Sequence, residues 1–200
     1  MRGRGRAALL AVLLLTALGH AAARPAGADD ELWTLLKNGR QVVLLRHAVT
    51  TAGVGDPPGF KLQDCATQRN LTEAGRAAAR RLGDAFREHG VPVGRVLSSP
   101  WCRCLDTARL AFGAAEVSQP LSNLYGRSEA SARQVREMET LIATWRPEGA
   151  GGNLVLVSHG STILALTGIS VEPAEMVVLT PRAGERFKIA GRLSAPSPGG

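Results

Sequence analysis

The sequence predicts an α/β fold, a three-layer sandwich in which a mostly parallel central sheet is flanked by helices. Two uninterrupted apolar runs, residues 42–45 and 154–157, are typical of strands buried on both faces. Segments with helical periodicity alternate with the strand segments, which indicates a layered α/β architecture. Both apolar runs end at polar residues that include a histidine, and open α/β sheets bind their ligands at such strand ends.

The individual elements follow from periodicity, caps and breakers. We predict helices over residues 29–38, 73–89, 101–112, 128–145 and 161–166. We predict strands over residues 42–45, 93–97, 116–121, 154–158, 176–180 and 186–190. Thr72 is the expected N-cap of the second helix, whose expected buried stripe contains Ala78, Leu82, Ala85 and Phe86. Gly39, Gly90 and Gly113 end helices.

The first residues have the pattern of a secretory signal peptide, predicted over residues 1–23. Arg2, Arg4 and Arg6 precede a short apolar run, and small residues then allow cleavage after Ala21 or Ala23. The run is short for a bilayer span, so export and cleavage are favoured over an uncleaved anchor. One domain is expected over residues 29–192, followed by a Pro/Ser/Gly-rich disordered tail over residues 193–200.

Charge and composition exclude some classes of function. The formal charge of +7 falls to +4 when the three arginines of the signal peptide are removed. The remaining basic residues are scattered and aromatic residues are few, which argues against nucleic-acid binding. A mildly positive domain suits an anionic small substrate better.

Three cysteines, Cys65, Cys102 and Cys104, suggest one disulfide and one spare thiol in an exported protein. Cys102 and Cys104 are too close in a helix start to pair easily, so Cys65 pairs with one of them, and we favour Cys65–Cys102. The alternative is three buried free thiols. The Cys-x-Cys spacing alone is poor support for a zinc site.

Three predicted strand ends carry polar residues suited to a phosphate. Arg46 and His47 follow the first strand, Ser98, Ser99 and Arg103 follow the second, and the segment 158–161 with His159 follows another. Parallel strands bring these ends to one edge of the sheet. Arginines donate paired N–H groups to phosphate oxygens, and the start of a helix adds backbone amides. One histidine can attack phosphorus. The other, if protonated, can stabilise the negative charge on the phosphoryl oxygens.

These motifs resemble the histidine phosphatase superfamily (phosphoglycerate mutase-like, branch 1). Leu45-Arg46-His47-Ala48 is similar to its Arg-His-Gly signature, and Leu71-Thr72-Glu73-Ala74-Gly75 to its Leu-Thr-x-x-Gly helix start. Two further segments resemble family motifs: Ser98-Ser99-Pro100-Trp101-Cys102-Arg103 with Thr107-Ala108, and Ser158-His159-Gly160. The resemblance covers residues 41–190, and the four motifs occur in the family's order.

The resemblance implies a role for each matching residue. His47 would be the nucleophile, and Arg46, Arg103 and His159 would hold and polarise the phosphoryl group. Thr50 and Gly160 are carried over as further substrate contacts. No metal and no cofactor is expected, because the arginines and histidines supply the positive charge.

The sequence departs from the family pattern at three positions. Ala48 replaces the usual glycine, and Ala78 the usual glutamine of the second helix. Asn123 lies near the place of the family's glutamate, which protonates the leaving group, and asparagine cannot act as an acid. Another carboxylate, Glu129 or Glu175, would then act, or the leaving group needs little help.

The sequence therefore predicts an exported phosphatase, periplasmic or secreted, that hydrolyses a phosphate monoester through a phosphohistidine at His47. Its partner would be an anionic phosphorylated small molecule, with no nucleic acid and no stable membrane insertion after signal cleavage. Alternatives are an enzyme acting on a phosphorylated envelope sugar, a phosphohistidine or phosphoprotein phosphatase, and a non-catalytic binder of phosphorylated ligands. A mutase fits an exported protein less well.

Overall fold

A six-stranded sheet forms the centre of the computed structural model, which describes residues 27–147, 151–182 and 186–194. Its strands are β1 (Val42–Arg46), β2 (Val93–Ser98), β3 (Glu116–Val117), β4 (Asn153–Ser158), β5 (Met176–Thr180) and β6 (Lys188–Leu193). Their spatial order is β3-β2-β4-β1-β5-β6. The first four strands in this order are mutually parallel, and β5 and β6 are antiparallel to their neighbours. The predicted mostly parallel sheet is confirmed.

Helices cover both faces of the sheet, as predicted. They are α1 (Ala28–Lys37), α2 (Glu73–Glu88), α3 (Cys102–Phe112), α4 (Ser128–Thr144) and α5 (Gly160–Thr167). Alternate residues of β1 face opposite layers: Val43 and Leu45 pack with α1, α2 and α3, and Val42 and Leu44 with α4 and α5. All four side chains are fully buried, which explains why this strand reads as a continuous apolar run.

The predicted elements differ from the structure mainly at their ends. The third strand is two residues long and gives way to a 3₁₀ turn, Gln119–Leu121, whose Pro120 cannot donate to a sheet ladder. β6 begins and ends later than predicted. Leu193 pairs with Met176 of β5 and is 1% exposed, so the prediction of a tail from residue 193 is wrong at its first residue.

Two glycines, rather than the whole predicted stripe, determine how closely α2 packs. Ala78 is only half-buried, whereas Ala79 is buried. A Cβ atom on Gly83 would lie 2.1 Å from the carbonyl oxygen of Ala111 in α3, and one on Gly75 would lie 2.1 Å from that of Val49. The absence of a side chain at these positions lets α2 approach its neighbours directly.

The predicted signal peptide and residues 195–200 of the predicted tail lie outside the described residues. Within the described ranges, no helix is both long and apolar enough to cross a bilayer.

The segment after β1, residues 51–69, is here named the roof loop. Apart from a 3₁₀ turn at Cys65–Thr67 it is irregular, as its glycines and prolines predict. The predicted disulfide Cys65–Cys102 joins this loop to the first residue of α3, and Cys104 stays free and buried. The Gln68 side chain also accepts a hydrogen bond (3.0 Å) from the Cys102 amide. Both contacts attach the roof loop to the start of α3.

Removing this disulfide is expected to destabilise the protein. The bridge closes a sequence separation of 37 residues, for which loop-closure entropy gives about 3–4 kcal/mol. A double Cys65→Ser, Cys102→Ser variant should therefore unfold at lower urea concentration than the wild type. Dithiothreitol should lower the wild-type midpoint and leave that of the double variant unchanged. Equal wild-type midpoints with and without reductant would contradict the prediction.

Candidate active site

Parallel pairing brings the predicted strand ends to one edge of the sheet. Arg46 at the end of β1 lies opposite Ser158 at the end of β4. The His47 amide donates to the Ser158 carbonyl (3.0 Å), and the Ser99 amide donates to the Val157 carbonyl (2.9 Å). These bonds continue the sheet ladder past the strands, so the residues after β1, β2 and β4 lie side by side.

Two of the sequence motifs hold the chain that follows His47. The Thr72 hydroxyl caps α2 by accepting from the Gly75 amide (3.0 Å), and Gly75 packs on the Val49 carbonyl. The Thr107 hydroxyl of α3 accepts from the Ala48 amide (3.0 Å). The Leu-Thr-x-x-Gly and Thr-Ala segments therefore position the loop that carries the candidate nucleophile.

A cleft of about 350 Å³ opens at this edge. Its lining residues come from the ends of β1 and β4, the roof loop, α3, the segment before α4, and α5 with the turn that follows it: Arg46, His47, Gly53, Val54, Gly55, Arg69, Arg103, Asn123, Tyr125, His159, Gly160, Ser161, Leu164, Ser170 and Val171. The structure thus brings together Arg46, His47, Arg103, His159 and Gly160. Thr50, also predicted as a substrate contact, instead forms an isolated bridge with Leu71 and is not among these lining residues.

Larger clefts occur elsewhere on the described surface. One of about 510 Å³ lies beside Arg95 and Trp145, and another of about 630 Å³ lies between α1 and β6. Neither has a histidine in its lining. We therefore assign the site from its chemistry rather than its size.

His47 has the protonation state of a nucleophile. Its Nδ1 atom lies 2.9 Å from the Ala48 carbonyl oxygen, which can only accept, so Nδ1 carries the proton and Nε2 has a free electron pair. The pKa of His47 is lowered from 6.5 to about 3, mainly by burial and also by Arg103, Arg46 and Arg69, against the raising effect of the Ala48 carbonyl. The imidazole is therefore neutral at pH 7.

His159 lies beside His47, with 5.4 Å between the ring centroids. Its Nε2 atom is 2.8 Å from the Ser99 hydroxyl and 3.5 Å from the free thiol of Cys104. Burial, with the nearby His47 and arginines, holds its pKa well below 6.5. His159 is therefore neutral in the structure, in contrast to the protonated form considered from the sequence, and can act in the cleft only as a neutral hydrogen-bonding group. Burial likewise raises the pKa of Cys104, to about 12, so this thiol is unreactive.

Three arginines supply the positive charge of the cleft. Arg46 donates through Nη1 to the Val171 carbonyl (2.5 Å), and Arg69 donates through Nη1 to the Gly53 carbonyl. The Nε atoms of Arg46, Arg69 and Arg103 are all buried without a hydrogen-bond partner among the described residues. Unpaired buried donors are costly, and guanidinium groups form strong hydrogen bonds with anions.

Asp56 of the roof loop holds Arg103 in place. Arg103 donates through Nη1 to Asp56 Oδ1 (2.7 Å) and through Nη2 to Oδ2 (3.3 Å), and Trp101 donates through Nε1 to Oδ2 (3.0 Å). The Arg69 amide donates to Oδ1 (3.0 Å). Burial alone would raise the pKa of Asp56, but the hydrogen bonds from Arg103, Arg69 and Trp101 lower it overall. The carboxylate is therefore ionised, and both of its oxygens accept hydrogen bonds.

Of the candidates for the general acid, the one whose side chain is described, Glu175, does not line the cleft. Glu175 is buried and paired with Arg192 (2.5 Å), away from the cleft lining. The Glu129 side chain lies outside the described part of the chain. Asn123 does line the cleft, where its Oδ1 accepts from the Ser161 hydroxyl (2.8 Å). Among the described lining residues there is no carboxylic acid.

Two residues of the site, Arg69 and Asp56, were not predicted from the sequence. Both lie in the roof loop, which has no periodicity from which to infer where a side chain points. The feature that could have indicated a role for Arg69 is its position, two residues before the motif that begins at Leu71.

The low pKa of His47 makes folding sensitive to acid. Between about pH 3 and 6.5 the unfolded chain binds a proton at His47 that the folded chain does not, so stability falls as the pH is lowered. From pH 7 to 5 this residue should cost about 2 kcal/mol. Urea unfolding should show a smaller pH dependence for His47→Ala than for the wild type. Equal slopes would contradict this assignment.

The comparisons with known proteins agree with the motifs. The family model of the histidine phosphatase superfamily (branch 1) matches residues 42–124, which include His47 and Arg103 but end before His159. The resemblance drawn from the sequence is thereby confirmed. No curated protein matches the chain significantly in sequence.

Solved structures of phosphatases share the fold. A mycobacterial glucosyl-3-phosphoglycerate phosphatase has a TM-score of 0.59 and 16% identity, over 79% of this chain and 100% of that one. A phosphoserine phosphatase from Entamoeba histolytica has a TM-score of 0.58 and 15% identity, over 78% and 97%. A protein named as phosphohistidine phosphatase SixA, from Agrobacterium tumefaciens, has a TM-score of 0.51 and 24% identity, over 79% and 99%. At these identities the likeness is one of fold.

Proposed function

From the confirmed resemblance to branch 1 of the histidine phosphatase superfamily, we propose that this chain is a phosphatase that hydrolyses a phosphate monoester through a phosphohistidine at His47. The observation that carries the proposal is the neutral His47, with an unprotonated Nε2, in one cleft with His159, Arg46, Arg69 and Arg103. A nucleophile with a free electron pair and a set of cationic donors are the two requirements of phosphoryl transfer to a histidine.

The first step forms a bond between His47 Nε2 and phosphorus and breaks the ester P–O bond, whose electron pair leaves with the oxygen. The arginines bind the non-bridging oxygens, with His159 and the first amides of α5 beside them. Water then attacks the phosphohistidine, the N–P bond breaks, and His47 returns to its neutral form. The Nδ1–H bond to the Ala48 carbonyl keeps the ring in the required tautomer and orientation throughout.

The positive charge of this site comes from protein side chains, so we propose that catalysis needs no metal ion. Activity on 4-nitrophenyl phosphate should persist after dialysis against a chelator. Loss of activity in the chelator and its return with a divalent cation would overturn this part of the proposal.

Trapping the intermediate tests the proposed reaction. Enzyme mixed with ³²P-labelled 4-nitrophenyl phosphate and quenched in alkali should carry label on the peptide that contains His47, and acid should release it. Active enzyme that never carries label there would refute the mechanism. Vanadate binding without any turnover would instead favour the alternative of a non-catalytic binder of phosphorylated ligands.

A second candidate function is the hydrolysis of phosphohistidine or phosphoprotein. The observation that favours it is the lack of a carboxylic acid among the described lining residues, since an imidazole leaves a phosphoramidate without strong acid catalysis. Turnover of phosphoimidazole that is much faster than that of alkyl phosphates would support this candidate.

We also propose that the protein is exported to the periplasm or secreted. The arginine-led apolar run at the N-terminus supports this, and so does the disulfide, because such bonds persist in oxidising compartments. N-terminal sequencing of the protein recovered from outside the cytoplasm should read from residue 22 or 24. Recovery of the full-length chain from the cytoplasm would contradict export.

A further inference from the structure

We propose that the mouth of the cleft is a binding site for an aromatic leaving group, so that the substrate is a phosphorylated aromatic ring. The inference rests on the proposed phosphatase function and deepens it. It depends on three exposed apolar side chains, Val54, Tyr125 and Leu164, which we name the apolar rim.

The apolar rim belongs to the same cleft as the catalytic histidines. Val54, Tyr125 and Leu164 are 79%, 62% and 47% exposed, and all three line the cleft together with His47 and His159. Small-molecule sites combine apolar lining residues with a few polar groups that orient the ligand, and the apolar rim gives this polar cleft such a lining. At about 350 Å³ the cleft also falls within the usual size of a small-molecule site.

Polar contacts connect the segments of the apolar rim to the part of the cleft that contains the histidines and arginines, which we name the phosphate end. Asn123 Oδ1 accepts from the Tyr125 amide (3.1 Å) and from the Ser161 hydroxyl (2.8 Å), which ties the tyrosine segment to the start of α5. Leu164 lies one helical turn beyond Ser161 and Gly160, so one face of α5 leads from the phosphate end to the mouth. On the opposite side, Arg69 binds the carbonyl of Gly53, the residue before Val54.

The polar lining of the cleft also favours an aromatic leaving group. With no carboxylic acid in its described lining, the site favours a group that departs as a stable anion. A phenol, with a pKa of about 10, does so far more readily than an alkyl alcohol. The apolar rim supplies the surface on which such a ring packs, and Tyr125 offers it an aromatic partner.

The proposed reaction balances with the substrate and water as its only reactants. His47 Nε2 bonds to phosphorus while the aryl P–O bond breaks, and the phenolate takes the electron pair. Water then attacks phosphorus, the N–P bond breaks, and the proton released by the water neutralises the phenolate. The products are a phenol and inorganic phosphate.

Phosphonates, which the enzyme cannot hydrolyse, test the apolar rim independently of turnover. Phenylphosphonate should bind at least about tenfold more tightly than methylphosphonate to the wild type. Tyr125→Ala and Leu164→Ala should each remove most of this advantage and leave methylphosphonate binding unchanged. Ile189→Ala, which truncates an exposed apolar residue of β6 outside the cleft, is the matched control and should keep the advantage.

Equal binding of the two phosphonates, or an advantage that survives both rim substitutions, would overturn the inference and leave the phosphatase proposal standing. Absence of label on His47 would instead refute the phosphatase proposal, even if the phosphonate preference were present. A phosphorylated phenol ring is shared by small aryl phosphates and by tyrosyl side chains. A comparison of free phosphotyrosine with the same residue in a peptide distinguishes these two sources.

Discussion

A His47→Ala variant is expected to lose at least about 10⁴-fold in kcat on 4-nitrophenyl phosphate, because the group that accepts the phosphoryl moiety is removed. The three arginines of the cleft stay in place in this variant. Its affinity for inorganic phosphate should therefore change little, which separates loss of chemistry from loss of binding. Steady-state kinetics and product inhibition measure the two effects.

His159→Ala provides the comparison for the nucleophile. In the proposed mechanism this residue stabilises the phosphoryl group by hydrogen bonding without bonding to phosphorus, so its loss should cost about 10²–10³-fold in kcat. A His159 variant should also still form a phosphohistidine at residue 47, more slowly than the wild type. A His47→Ala variant with nearly full activity would exclude the proposed mechanism.

Replacing Asp56 with alanine is expected to lower the free energy of unfolding by about 3–5 kcal/mol, because it leaves a buried guanidinium unpaired. The side chains of Arg103 and Asp56 are 1% and 4% exposed, so this ion pair is shielded from solvent in the folded protein. The same variant should lose most of its activity, since Arg103 then has no group that orients it. Urea unfolding and phosphatase assays measure both effects.

The matched control is an exposed pair of the same residue types. Arg87 and Asp84 form an ion pair with side chains 66% and 54% exposed, and Asp84→Ala should cost less than about 1 kcal/mol. Equal losses for the two variants would contradict the assigned role of Asp56. The wild type should have a higher free energy of unfolding than an Asp56→Asn variant. This difference should shrink as the pH falls through the lowered pKa of Asp56, because protonation removes the charge of the carboxylate.

Much of the fold and of the phosphate end of the site could be predicted from local pattern. The run at residues 42–45 predicts a buried strand because all of its side chains are covered by helices. The pairing of Cys65 with a cysteine of α3 could be predicted because Cys102 and Cys104 are too close to pair with each other, and the favoured partner, Cys102, is the one observed. His47 and His159 each follow a strand, so the parallel sheet brings them together.

The remaining features depend on contacts between distant segments. Asp56 lies 47 residues from Arg103 in a loop without regular structure, and no short-range signal links the two. The neutral state of His159 depends on burial beside three arginines, which a residue type alone does not reveal. The strand predicted over residues 116–121 extends only over Glu116–Val117, because Pro120 cannot donate to a sheet ladder and favours the turn that follows.

Gathering Arg46, Arg69 and Arg103 in one cleft links the folding stability of this protein to the anions in its solvent. Like charges repel one another, and the carboxylate of Asp56 balances only one of them. Phosphate or sulfate that occupies the cleft binds the folded chain and not the unfolded one, so it should raise the melting temperature by mass action. The choice of buffer will then alter both the measured stability and, through competition with substrate, the measured KM.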